Sequence, residues 1–198
     1  MYSRLNFKSI IDGHNDTLKG ANGIIPWKEK LEFYIIPIII SLVIAYFKYI
    51  NDEITNILTI CLSVLIGLLL NLLVLILSNV QSKDQILDLS NRKNRLNLIE
   101  ETFYNISFTI LLSIMALIAI LLMNMCLFDF KILVAPFITI NIKFIIIYTF
   151  SVIIYFLNIK IFINLFMVLK RMTKVFKEDL GIEKQVIEEL EKKRMDNI

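Results

Sequence analysis

No aspartate or glutamate lies deep in any of the long apolar runs of this chain. All 18 fall in the tails, the loops or the edges of the runs. Pumps driven by protons or cations place ionisable groups inside the membrane, so that class loses support. No arginine ladder suggests a voltage sensor. There is one histidine, His14, and it lies in the N-terminal tail, so acid–base catalysis is poorly supplied. Phosphate-binding glycine loops, HExxH, GxSxG and paired Cys/His clusters are all missing. The residues point to no enzyme, no cofactor and no metal. The two cysteines, Cys61 and Cys126, sit at unequal depths near helix ends and read as small hydrophobes. The first 30 residues have no apolar leader core, so the first span is expected to stay as an anchor. No basic stripe with interleaved aromatics suggests direct nucleic-acid binding. The net charge of +3 is small, and acidic residues interleave with basic ones in both tails.

What is present is apolar. Hydrophobic residues make up 57% of the 198, against roughly 45–50% in a soluble domain, and mean hydropathy is +0.71. Four runs are long enough to span a bilayer: Phe33 to Phe47, Ile54 to Leu77, Ile106 to Met125, and Phe144 to Leu169. The fourth would be about 39 Å of helix against about 30 Å of hydrocarbon, so it must tilt or run on past the membrane. Lys and Arg crowd the N-terminal tail, the loop between spans two and three, and the C-terminal tail. The other two loops hold only Lys48, Lys131 and Lys143. The positive-inside rule then places both termini in the cytoplasm, which suits an even number of spans. The expected fold is all-α: a polytopic membrane protein of four transmembrane helices, with a cytoplasmic helical hairpin extension and a C-terminal amphipathic helix. The expected divisions are residues 1–30 as a cytoplasmic segment with an interfacial anchor, 31–170 as the membrane domain including a cytoplasmic loop at 80–103, and 171–198 as the amphipathic helix.

Trp27, with Lys28 and Lys30, stands immediately before span one as an interfacial anchor. Pro37 inside that span removes an N–H and crowds the carbonyl of Phe33. Ser41 and Ala45 follow at steps of four. "DGHND", Asp12 to Asp16, resembles the start of a calcium loop, but Thr17 and Gly23 stand where such a loop needs Gly and Glu; a solvated turn is expected. In the middle loop, "SNRKN", Ser90 to Asn94, is the expected turn. Lys160 lies in apolar sequence near the inner interface. It is expected to snorkel there, the alternative being contact with a substrate, ion or lipid headgroup.

Span two carries Thr55, Thr59, Ser63, Gly67 and Asn71 at steps of four. Thr59, Ser63, Gly67 and Asn71 form one ridge. Small residues at this spacing let helices approach closely, and an asparagine can hydrogen-bond across the contact. The ridge is expected to pack within one subunit or between subunits; the alternative is that it lines a pore. Thr109 and Ser113 in span three are its expected facing pair. After span four, Val175, Phe176, Ile182, Val186 and Leu190 belong to an apolar stripe of helical period opposite a charged face. Such a stripe needs a partner: a second copy, the middle hairpin or the membrane surface. Gly181 is a possible break in this helix.

"SVLIGLLLNLLVLILS", Ser63 to Ser78, with the preceding "IIPWKEKLEFYIIPIIIS", resembles small four-span bacterial membrane proteins that work beside anti-phage defence partners, the membrane subunit of the Kiwa system being the nearest type. The resemblance covers about half the chain and rests on size, topology and the Gly–Asn pattern. It implies an oligomeric inner-membrane sensor or scaffold that recruits a cytoplasmic protein in antiviral defence, with membrane lipids, a homo-oligomer and a soluble protein as partners. A pore- or channel-forming effector subunit is the alternative.

Overall fold

The computed structural model describes residues 7–20, 22–82, 89–129 and 136–195, and near several helix ends the backbone alone. Every regular element among them is helical. A short helix α1, Lys8–Leu18, comes first. Span one is built from α2 (Trp27–Lys30), a π-helical turn (Leu31–Ile35) and α3 (Ile36–Phe47). Three long helices follow: α4 (Asp52–Ser82), α5 (Leu89–Asp129) and α6 (Pro136–Met195). By length and composition, four stretches can cross a membrane: 27–47, 52–78, 95–125 and 144–177.

The packing order differs from the chain order. α5 runs along α6 at the centre, α3 flanks α6, and α4 flanks α5. Half of the α5 window is buried, against 17% of the α4 window, so α5 is the spine and α4 the most exposed wall. The core is aliphatic: Leu62 of α4, Leu112, Ala116 and Ile120 of α5, and Ile154 and Ile161 of α6 pack together.

Local chemistry explains the irregularities. Pro37 has no N–H to offer Phe33, and its ring would strike that carbonyl. The helix widens into its π turn just before the proline, the usual way to absorb such an insult. Pro37, Ser41 and Ala45 are then all buried, a small-residue face that lets α3 lie close to its neighbour. Asn51 caps α4, its Oδ1 accepting from the Ile54 N–H at 3.0 Å, and Asp52 and Glu53 favour the positive end of that helix. The short loop before it is pinned to α6: the Ile50 N–H donates to Ser151 Oγ at 3.0 Å, and the Tyr155 hydroxyl donates to the Lys48 carbonyl at 3.1 Å.

Three expectations change. The "DGHND" stretch is no solvated turn; it lies within α1. "SNRKN" is no turn either, since α5 already begins at Leu89. Residues 83–88, between α4 and α5, lie outside the described residues. α6 passes through Gly181 without interruption, a helical glycine costing only about 1 kcal/mol.

Candidate functional site

The polar groups of this bundle converge where α1 lies on α5. Ile10, His14 and Leu18 recur at steps of four and give α1 one inward face. A histidine in that row can be buried only if its ring finds both a flat surface and a polar partner. It finds both. The imidazole stacks on Phe108, with centroids 3.9 Å apart and planes 11° from parallel. Its Nδ1 lies 2.8 Å from Asn105 Oδ1; an amide oxygen only accepts, so the neutral ring carries its proton on Nδ1. The Thr17 hydroxyl shares its proton between the His14 carbonyl at 2.7 Å and the same Asn105 oxygen at 3.1 Å. His14 is 1% exposed. Burial is the main cause that lowers its pKa to about 4, with the Lys160 and Arg171 charges adding and the Asn105 bond opposing.

Gly13 makes the close approach possible. A Cβ there would fall 2.4–2.7 Å from the Tyr104 ring. The far end of α1 is held by α6: Arg171 Nη2 donates to the Thr17 carbonyl at 2.9 Å, and Arg171 Nη1 lies 3.2 Å from Glu101 Oε2. The turn that carries the chain from α1 to span one needs Gly23, whose φ is +70°.

Lys160 does not reach outward. Its ammonium sits 4.7 Å above the Tyr34 ring, with the Phe108 and Phe156 rings at 5.6 and 5.8 Å. Span one thus supplies an aromatic face for a cation of span four. Asn105 Nδ2 and both amide atoms of Asn164 are buried without a hydrogen-bond partner in the protein. Below this cluster, an open cavity of about 440 Å³ lies between the end of α1, the start of span one, α5 and α6. A second, of about 400 Å³, lies on the other side of α1 and is lined by Asp12, Asp16, Glu100 and Glu101. Among the described residues no three His, Cys, Asp or Glu side chains are placed to hold a metal.

The other sequence-predicted residues scatter. Trp27 is 70% exposed at the head of span one. On α4, Thr59 is half-buried, but Ser63, Gly67 and Asn71 are exposed. A Cβ on Gly67 would meet nothing within 4 Å. Packing of the ridge inside the subunit is therefore overturned: the hydroxyls of Thr59 and Ser63 donate to their own helix, to the carbonyls of Thr55 and Thr59, and the ridge faces away from the bundle. Thr109 and Ser113 are not its facing pair. Both are fully buried on α5 and donate to the Asn105 and Thr109 carbonyls. Val175 packs partly against the core while Phe176 is exposed. The side chains of Ile182, Val186 and Leu190 lie outside the described residues. Cys61 is free and exposed, and the side chain of Cys126 also lies outside the described residues.

Sequence reading missed His14, Gly13, Asn105 and Arg171. The signal for α1 was the row Ile10, His14, Leu18; no local pattern marks the other three. No family model, no curated protein and no solved structure matches the chain.

Proposed function

We propose that the chain is an oligomeric inner-membrane sensor or scaffold that recruits a cytoplasmic protein through the tail of α6. The observation that carries this reading is the tail itself. α6 is one helix to Met195, and beyond Lys177 it extends about 27 Å further. Phe176, Leu180 and Ile187 on it are more than half exposed. An apolar stripe on a helix outside the bilayer needs a covering surface. The Arg171 to Thr17 bond brings the N-terminal helix and the tail to one end of the bundle, and the Lys/Arg asymmetry assigns that end to the cytoplasm. The resemblance to anti-phage membrane subunits supports a role in antiviral defence.

The test is truncation after Lys177 in cells carrying the gene with its natural neighbours, under phage challenge. Survival should fall to that of cells lacking the gene while the chain still inserts. Undiminished survival would overturn the recruitment role. Reporter fusions at Ile198 and at Gln85 should both read as cytoplasmic; a periplasmic signal from either overturns the orientation.

The α4 ridge supports self-association. In lipid, the Asn71 amide gains by finding a polar partner, and Gly67 offers a close approach to a second helix. The same outward ridge favours a second reading, a pore around the oligomer axis. Leu72 to Leu77 offer no polar continuation, so a dry interface is preferred. Ion flux that vanishes in Asn71→Leu at unchanged oligomer size would reverse that preference.

A further inference from the structure

The cavity of about 440 Å³ is charged on both sides. Glu29, Glu32 and Glu101 line it together with Lys170, Arg171 and Lys174. Three carboxylates face three cations, so the lining is balanced and suits neither a bare anion nor a bare cation. One of its polar atoms remains open: Glu29 Oε2 is buried without a hydrogen bond, whereas Arg171 Nη1 is held in its ion pair with Glu101. The open acceptor calls for a cationic N–H, and the Lys170 and Lys174 ammonium groups on the same lining call for an anionic oxygen.

The other walls are apolar: Phe33, Ile163, Phe166 and Met167. Phe166 is 70% exposed on α6 toward the surroundings of the bundle. Glu29 and Glu32 stand within two turns of Trp27, so the cavity lies at headgroup level. Its volume falls within the range of small-ligand sites.

The geometry points to a binding site for one zwitterionic phospholipid with a primary amine, of the phosphatidylethanolamine class. The phosphate meets Lys170, Arg171 and Lys174; the ammonium donates to Glu29 and its acidic neighbours; an acyl chain runs along Ile163 and Phe166. A quaternary amine has no N–H to give Glu29, and a glycerol headgroup brings no positive charge.

Purified protein in detergent is titrated with phosphatidylethanolamine, phosphatidylcholine or phosphatidylglycerol, and bound lipid is counted by native mass spectrometry alongside the melting temperature. Phosphatidylethanolamine should be retained as one adduct, with at least roughly tenfold preference over the other two, and should raise the melting temperature. Glu29→Gln should erase the preference over phosphatidylcholine. Lys174→Gln, which leaves both partners of the Arg171 to Thr17 bond in place, should weaken phosphatidylethanolamine retention without unfolding the chain. Equal retention of the three lipids by wild type, or unchanged retention in both variants, overturns the site. An equal melting shift from soluble O-phosphoethanolamine overturns the lipid as its occupant.

Discussion

Replacing Gly13 by alanine should change sign with the residue at position 104. In the wild-type background the new methyl would stand 2.4–2.7 Å from three atoms of the Tyr104 ring, where carbon atoms prefer about 3.5–4.0 Å. Roughly an ångström must be found. Lifting α1 would expose His14 and Leu18 and break the Asn105 bond, with about 1 kcal/mol for the hydrogen bond, about 1 for the ring stack and about 2 for the leucine. Swinging the half-buried Tyr104 ring aside costs less, in the range of about 1–3 kcal/mol typical of overpacking. Against this, alanine gains up to about 1 kcal/mol over glycine inside a helix. Gly13→Ala alone should therefore be neutral to destabilising by about 2 kcal/mol. In a Tyr104→Ala background the clash is gone, and the same change should stabilise by up to about 1 kcal/mol. A double-mutant cycle isolates the difference. The readout is amide exchange of residues 8–18 in nanodiscs, with detergent melting as the second measure. Stabilisation by Gly13→Ala in both backgrounds would refute the close approach of α1 to α5.

Acid should loosen the same helix. The folded-state pKa of His14 is about 4, below its ordinary 6.5. The neutral ring's contribution is thus complete above pH 6.5 and lost as pH falls toward 4, worth about 3 kcal/mol in all. Amide protection of α1 should drop across that window, and His14→Phe should flatten the dependence; equal loss in the variant would show that other groups carry it. Arg171→Gln should release the end of α1 while leaving spans one to four inserted, detected as proteolysis near Lys19; resistance equal to wild type would refute the clasp. Gly67→Leu should leave monomer melting within about 0.5 kcal/mol, since nothing surrounds the site, yet reduce the oligomer seen by light scattering; an unchanged oligomer would remove the ridge from the interface.

The spans were legible because apolar length is nearly sufficient to specify a membrane helix. Which face of each helix meets protein was not. In water, burial and apolarity go together, so a periodic pattern points at the core; in lipid both faces are apolar and the pattern goes silent. The row Thr59, Ser63, Gly67, Asn71 on α4 and the row Thr102, Asn105, Thr109, Ser113 on α5 both recur about once per helical turn, yet the first mostly faces out and the second is wholly buried. Lys160 misled for a related reason. Its depth allows an outward reach, but the Tyr34 ring from span one offers an inward one, and no local pattern joins residues 34 and 160. His14 was hidden by its polar neighbours Asp12, Asn15 and Asp16, which occupy the solvated face of the same helix.

The clasp on α1 also sets an order of events in time. Its contacts reach 91 residues ahead to Asn105 and 154 ahead from Thr17 to Arg171. A ribosome adding roughly 5–20 residues per second needs about 8–30 s to cover the longer gap. For that interval α1 has been made but has no seat, and its apolar row of Ile10 and Leu18 must wait at the membrane surface or beneath a chaperone. The seat is finished only when the fourth span has been threaded, so seating of α1 reports that the third and fourth spans have reached their places. A chain that misplaces either of them would leave α1 loose, marked for quality-control proteases by an exposed end that a finished molecule conceals.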